Sequence, residues 1–200
     1  MPNANRPVGL TPIEYLDGSP YNGKARQFFI PSTDANAYAI GDPVVMSGDG
    51  DSNGVAGITL ATAGTGSIVL GAIVGMGGVV YGGGGFVPGA LDTTIIPASK
   101  TRGYYVLVSD DPNIVYAVQE GGAGSALTSA SIGLNFNLLS GTNNGFISGW
   151  QFDNASGNAG ATRQMQLLGL VRTADNALGQ YANWKMRINY HQYTSGQAGV

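Results

Sequence analysis

Cysteine is absent from the 200 residues, which excludes disulfide stapling, thiolate catalysis and cysteine-based zinc sites. Histidine occurs once, at His191, so no metal site built from several histidines can form. Charge is scarce: 10% of residues, against the roughly 25% usual in soluble domains. The 9 basic and 12 acidic residues leave a net charge of −3. A nucleic-acid binder needs a basic stripe to displace counterions from phosphate, so composition excludes that class. No long stretch has the 3.6-residue period of a helix, and no tandem repeat of about 20 to 50 residues is visible. The longest apolar run, residues 67–81, is shorter than the roughly 20 residues of a membrane helix and is broken by glycine. Arg6, Pro7, Pro12, Glu14 and Asp17 interrupt any apolar core of a signal peptide. The sequence therefore predicts neither a nucleic-acid nor a membrane partner.

What the chain does hold is apolar side chains, at 43%, and 33 glycines without a G-X-Y period. That content excludes a disordered chain and a collagen, and 200 residues suffice to bury a core. Residues 1–22 read as an extended arm, held near polyproline geometry by Pro2, Pro7, Pro12 and Pro20. Within it, Thr11-Pro12-Ile13-Glu14 has the form of a capping box with proline at the first helical position, predicting one helical turn over residues 12–16. Residues 23–193 read as one β-rich domain and 194–200 as a flexible tail.

Strands are expected at 25–30, 42–46, 58–61, 67–74, 104–108, 114–119 and 167–172. Residues 75–89 read as a glycine-rich loop. The five residues Ser109-Asp110-Asp111-Pro112-Asn113 between two apolar strands predict a hairpin. From Trp184 onward the alternation is clean, with Trp184, Met186, Ile188 and Tyr190 on one face and Lys185, Arg187, Asn189 and His191 on the other. The fold expectation is all-β: a sandwich, jelly roll or small β-barrel with long Gly-rich loops and an extended N-terminal arm.

Candidate chemistry is sparse. His191 could serve as a catalytic base, but no G-x-S-x-G elbow presents a serine to it, and it reads as an exposed strand histidine. Asp49-Gly50-Asp51-Ser52-Asn53-Gly54 opens like a calcium loop, yet Leu60 stands where the bidentate glutamate belongs, which favours a tight turn. Asp110-Asp111 reads as turn residues pointing apart rather than as a paired acid and base. The 75–89 loop matches no phosphate-binding pattern, and Asn154-Ala155-Ser156 is a glycosylation sequon with no secretion signal ahead of it. No catalytic residue, metal or cofactor is predicted, and the chain reads as not an enzyme. Its charges are unevenly placed: five acids and no cation between Arg26 and Lys100, then four cations against Asp175 from Arg163 to Arg187. Such asymmetry suits contacts between subunits.

Several segments resemble the head proteins of small tailed phages. These are Asn3-Ala4-Asn5-Arg6-Pro7-Val8-Gly9-Leu10-Thr11-Pro12 and Tyr15-Leu16-Asp17-Gly18-Ser19-Pro20-Tyr21-Asn22-Gly23 at the start. Further along stand Ile40-Gly41-Asp42-Pro43-Val44, Tyr105-Val106-Leu107-Val108-Ser109-Asp110-Asp111-Pro112 and Tyr181-Ala182-Asn183-Trp184. The resemblance is to the structural cement, or head decoration, family. It implies a homo-oligomer, dimer or trimer, made in the host cytoplasm and clamped on the outer capsid surface of the virion. There it would bridge subunits of the major capsid protein. The arm residues Arg6, Pro7, Leu10, Ile13, Tyr15, Leu16 and Tyr21 are then the expected contacts to capsid or neighbouring subunit, because they put apolar teeth on an extended segment. A fibre or a receptor- or carbohydrate-binding β module of the virion is the alternative; it predicts an aromatic platform, with Trp150, Tyr81 or Phe86 as candidates.

Overall fold

The computed structural model describes residues 3–77 and 94–194, and they are all-β, as the sequence predicts. The strands are β1 (Thr11–Tyr15), β2 (Arg26–Ile30), β3 (Tyr38–Ala39), β4 (Pro43–Gly50), β5 (Ala56–Leu60), β6 (Gly71–Met76) and β7 (Ile95–Ile96). They continue with β8 (Tyr104–Ser109), β9 (Ile114–Gly121), β10 (Asn135–Phe136), β11 (Leu138–Leu139), β12 (Gln151–Asp153), β13 (Met165–Leu170) and β14 (Asn183–Ile188). Short 3-10 turns cover Ser129–Ser131 and Asn154–Ser156.

Strands β2-β5-β4-β6-β8 close into a barrel. The second sheet runs β10-β13-β14-β9-β12-β11. Its two outer strands, β10 and β11, are consecutive in the chain and separated by Asn137 alone, so this path also returns on itself as a five-stranded ring. Residues 23–193, expected as one β-rich domain, thus hold two barrels.

The two barrels share one topology. In each, the first strand pairs with the third in parallel (β2 with β5, β9 with β12). The third pairs antiparallel with the second (β5 with β4, β12 with β11), and the second with the fourth (β4 with β6, β10 with β13). The fourth pairs with the fifth, and the fifth returns to the first. The registers coincide as well. Ile73, Gly75 and Met76 face Val108, Leu107 and Val106, while Leu167, Gly169 and Leu170 face Met186, Lys185 and Trp184. Both fourth strands carry a bulge just before the glycine, between Ile73 and Gly75 and between Leu167 and Gly169. Met46 faces Ile58 as Leu138 faces Phe152, and Pro43 faces Ala72 as Asn135 faces Gln166.

Core residues sit at matching positions but differ in size: Phe28 and Val118, Val44 and Phe136, Ile58 and Phe152, Ile73 and Leu167, Val106 and Trp184, Val108 and Met186, all buried. A small barrel is filled by its own side chains, so a large residue in one copy is balanced by smaller neighbours there. Leu10, Ala61, Val69, Ala72, Ile114 and Tyr116 extend the second core to the wall of the first barrel and join the two.

Three sequence expectations are corrected. Residues 104–119 are not a hairpin: β8 belongs to the first barrel and β9 to the second, and they do not pair. Both edges of β8 are already taken by β2 and β6, so β9 must find partners elsewhere. The intervening turn is a corner between barrels, closed by Ile114 N donating to Asp111 O at 3.1 Å. Tyr116 Oη braces it by donating to Ser109 O at 2.8 Å. Residues 12–16 are not helical either: 12–15 lie in β1, antiparallel to β9 with a bulge between Pro12 and Glu14, and Leu16 opens the turn after it. A single helical turn gains one or two hydrogen bonds for its nucleation cost, whereas an open strand edge offers a ladder, and an edge strand tolerates Pro12. Finally, His191 is buried, not exposed. The alternation of β14 ends at Ile188, and His191 instead bridges Val69 of the first barrel.

The chain ends are crossed. The N-terminal strand β1, ahead of the first barrel in sequence, pairs with the second. The segment after the second barrel returns to the first, where Gln192 N donates to Val69 O at 2.9 Å and Met46 N to Gln192 Oε1 at 2.9 Å. Most of the 75–89 loop, the candidates Tyr81 and Phe86, and the tail beyond Thr194 lie outside the described residues.

Candidate interaction surface at the barrel seam

The arm begins in the seam between the barrels. Arg6, exposed at the surface, donates its backbone N–H to Gln119 Oε1 at 3.0 Å. Gln119 Nε2 in turn donates to Ala4 O at 2.9 Å and Tyr181 O at 3.1 Å. Pro7 is half-buried. Leu10 is fully buried in the core of its own chain, with its N–H donating to Gly41 O at 2.9 Å. Ile13 lies half-buried in β1, and Glu14 of the same strand pairs with Lys185 of β14 at 2.8 Å.

After β1 the chain doubles back. Tyr15 N donates to Ser19 O and Tyr21 N to Ile13 O, and the rings of Tyr15 and Tyr21 tilt together 6.0 Å apart. Their phenols are tied locally, Tyr15 Oη to Asn22 Oδ1 at 2.9 Å and Tyr21 Oη to Lys24 O at 2.7 Å. Leu16 alone among the seven arm candidates is an exposed large apolar side chain, at 44%; its N–H donates to Asn113 O.

This turn, the 110–113 corner and the C-terminal segment enclose a groove. One end, of about 550 Å³, is lined by Tyr15, Leu16, Asp17, Ser19, Lys24 and Asp111 among others. It continues, through Lys24, Asp111 and Asn113, into a second hollow of about 490 Å³ with Arg26, Asp110, Pro112 and Tyr193. Arg26 pairs with Asp110 at 2.6 Å and stacks over the Tyr193 ring at 5.4 Å. Tyr193 Oη donates to Asp110 Oδ2 at 3.1 Å. The bond to Asp110 holds the Arg26 guanidinium more firmly protonated than usual. Two hydrogen bonds from Ser19 keep the Asp17 carboxylate below its ordinary range. The walls thus present fixed ions, amides and phenols, suited to a polar partner surface. A smaller apolar hollow of about 260 Å³ opens beside β1, among Leu10, Pro12, Tyr21, Ile40 and Ile73. Two exposed side chains stand by it, Ile40 at 38% and Phe146 at 66%, the latter next to the Ile147 that bridges Ile40.

Other sequence candidates take structural places. Asp51 closes the 51–54 turn, accepting from the N–H groups of Asn53 and Val55 and from the Tyr105 phenol. The Tyr105 bond holds its carboxyl below the usual range. Among the described residues no three metal-ligating side chains converge. Asp111 caps its own turn through Asn113 N at 2.9 Å, while Asp110 faces Arg26. Asn154 of the sequon is buried, with its amide spent on Gly124 and Ser125. Trp150 is also buried and forms no surface platform. The Lys100 side chain, which closes the acidic stretch of the sequence, is buried on Asp34 and Asn36 of its own chain.

Sequence reading missed Glu120. This carboxylate is fully buried, accepts from Trp184 Nε1 at 2.9 Å and from Leu127 N at 3.4 Å, and is pushed by burial above the ordinary carboxylate range. The signal was its position as the last charge before the uncharged stretch that runs to Asp153. No known protein family, curated protein or solved structure matches this chain.

Proposed function

We propose that the chain is a head decoration protein: it binds the outer surface of a tailed-phage capsid and bridges major capsid protein subunits. The observation that carries this reading is where the five phage-like sequence segments lie. The two arm segments, the Ile40–Val44 stretch, the β8 corner and the Tyr181–Trp184 stretch meet in one place, the seam between the barrels. Leu10 bonds Gly41, Leu16 bonds Asn113 just past the corner, and Gln119 ties the arm to Tyr181. The seam presents the Leu16 turn and the mixed-charge groove to solvent. A clamp of this kind needs no turnover: contacts of modest strength, repeated around a shell, add by avidity. Two barrels locked by crossed ends form a stiff body, which loses little entropy on docking.

The groove also supports a second reading, a carbohydrate-binding module of the virion, because Tyr15 and Tyr193 line it beside carboxylates and amides.

Purified protein mixed with undecorated heads and imaged by cryo-electron microscopy tests the first reading. Ordered density at symmetry-related seams, with the Leu16 turn against the coat protein and heads more resistant to heat, is the expected result. Bare heads at saturating protein would overturn it, and a glycan array would then test the second.

A further inference from the structure

The shared topology makes each barrel a template for the other. Just before β4 the first barrel forms a tight corner at Ile40, Gly41 and Asp42, where Gly41 has φ +93°. Gly41 N donates to Ile73 O at 2.8 Å, Ile73 N to Asp42 O at 3.0 Å, and Asp42 N to Ala39 O at 3.2 Å. Just before β10 the second barrel repeats it at Ile132, Gly133 and Leu134, with Gly133 also at φ +93°. Gly133 N donates to Leu167 O at 2.9 Å, Leu167 N to Leu134 O at 3.0 Å, and Leu134 N to Ser131 O at 3.2 Å. Leu167 is the register counterpart of Ile73.

The corners differ in what covers them. On the first lie Val8, Gly9 and Leu10, with Gly9 in the left-handed region at φ +70° and Leu10 N bonded to Gly41 O. Contact is so close that a β-carbon on Gly9 would run into the Gly41 carbonyl, and one on Gly41 into the Val8 carbonyl. Ser148 N, donating to Ile40 O at 2.9 Å, walls the other side. Gly41 and Asp42 are buried as a result. On the second barrel Gly133 and Leu134 are only half-buried, while Ile132, at 43%, is about as exposed as its counterpart Ile40, at 38%. Among the described residues, the Gly133 carbonyl receives only a long contact from Gln166 Nε2, at 3.4 Å.

We propose that the corner at Ile132, Gly133 and Leu134 is a docking site for a segment of a partner protein carrying a left-handed glycine followed by an aliphatic residue. The filled corner specifies the occupant. A backbone N–H must reach the Gly133 carbonyl, the preceding residue must lack a β-carbon, and the residue that donates must be aliphatic, as Leu10 is after Gly9. The arm of a second copy of this chain is not that occupant. Its own Val8, Gly9 and Leu10 are already seated, and they continue into β1 on β9, so lending them would undo both contacts. The inference rests on the internal repeat and stands independently of the capsid reading.

The test is a titration of the full chain with a capped synthetic peptide copying residues 5–12, followed by amide NMR shifts. Saturable shifts at Ile132, Gly133 and Gln166 are expected. They should vanish for the chain variant Ile132→Asp and for a peptide with alanine in place of its glycine. Because Ile132 is exposed, that variant keeps its fold, which its remaining amide spectrum verifies. Shifts centred on Ile40 and Gly41, meaning displacement of the chain's own arm, would overturn the proposal. So would equal binding by the alanine peptide, or no saturable shift at all. A change of oligomeric state in Ile132→Asp would also overturn it, by making the occupant a second copy. None of these outcomes depends on phage heads, so the two proposals fail separately.

Discussion

Glu120 holds, in the second barrel, the register position that Ile30 holds in the first. The pairing Phe29–Gly57 of one parallel ladder corresponds to the position before Glu120–Phe152 in the other, and both side chains are fully buried. An apolar site in one copy has become an ionisable site in the other. The partner changes with it: Val106, which faces Phe28, is replaced by Trp184, which faces Val118 and donates its indole N–H to the carboxylate.

This exchange makes stability depend on pH with a defined sign. Burial raises the Glu120 pKa above its unfolded value, so its contribution is fully present below the ordinary carboxylate range and is lost as pH rises through the raised value. Asp42, also buried and also raised, acts in the same direction. Glu120→Gln is expected to match the parent in acid and to exceed it toward neutral pH. Urea unfolding across that range measures it; a parallel pH dependence in both proteins would refute the assignment.

Separating packing from the hydrogen bond at Trp184 takes two variants. Trp184→Ala removes a fully buried side chain and is expected to destabilise by about 3–5 kcal/mol. Trp184→Phe retains most of the volume but removes the indole N–H that donates to Glu120 Oε2 at 2.9 Å, for a loss of about 1–3 kcal/mol. If Trp184→Phe proves neutral, the indole bond contributes no net stability.

Much of the fold was legible because strands advertise themselves locally. The run from Trp184 to Ile188 alternates, and its odd and even positions divide between half-buried and buried as read. Turn chemistry marked the β8–β9 corner, yet it could not tell a hairpin from a corner between barrels, since that depends on which edges of β8 are already filled. The repeat was invisible for a related reason. Only the Ile-Gly of each corner and the bulge glycines Gly75 and Gly169 keep their identity. Elsewhere the copies trade Val for Trp or Phe for Val, keeping the positions apolar and buried without keeping the sequence. The apolar teeth of the arm were visible, but whether Leu10 faces a partner or its own core depends on the position of Gly41, far along the chain.

The corner glycines differ in what a β-carbon would meet, and substitution reads this out. Gly18 has φ +84° and open space around it, so Gly18→Ala should cost only the left-handed strain, about 1 kcal/mol. Gly41→Ala adds a clash with the Val8 backbone, and should cost on the order of 2–4 kcal/mol and loosen the arm. Thermal melts, with hydrogen exchange at Leu10, distinguish the two; equal losses would show that the arm tolerates displacement.

Removing residues 1–22 strips Leu10 from the core and β1 from the edge of β9. The loss of Leu10 alone is worth about 2–5 kcal/mol, so the truncated chain should melt well below the parent. Leu16→Asp, by contrast, changes an exposed residue and should leave the melting temperature within a degree or two of the parent, about ±0.5 kcal/mol. Capsid binding that survives Leu16→Asp would move the contact away from the arm turn.

His191 gives the C-terminal clasp a response to acid. The ring is buried, its Nδ1 accepts from Tyr193 N at 3.1 Å, and its Nε2 has no hydrogen-bond partner among the described residues. Burial lowers its pKa, against the opposing pull of Asp110. A base with a depressed folded-state pKa stabilises fully above its unfolded value of about 6.5, and that stability drains as pH falls below it. Protonation also converts Nδ1 from acceptor to donor, which breaks the bond from Tyr193 N. The segment that holds Val69 through Gln192 N and Met46 through Gln192 Oε1 should therefore open first on mild acidification. Hydrogen exchange at Met46 and Gln192 is expected to accelerate with falling pH while the amides of β14 stay protected. In His191→Phe, which fills the same space and cannot titrate, the pH dependence at those two amides should disappear. Its persistence would place the acid-sensitive group elsewhere.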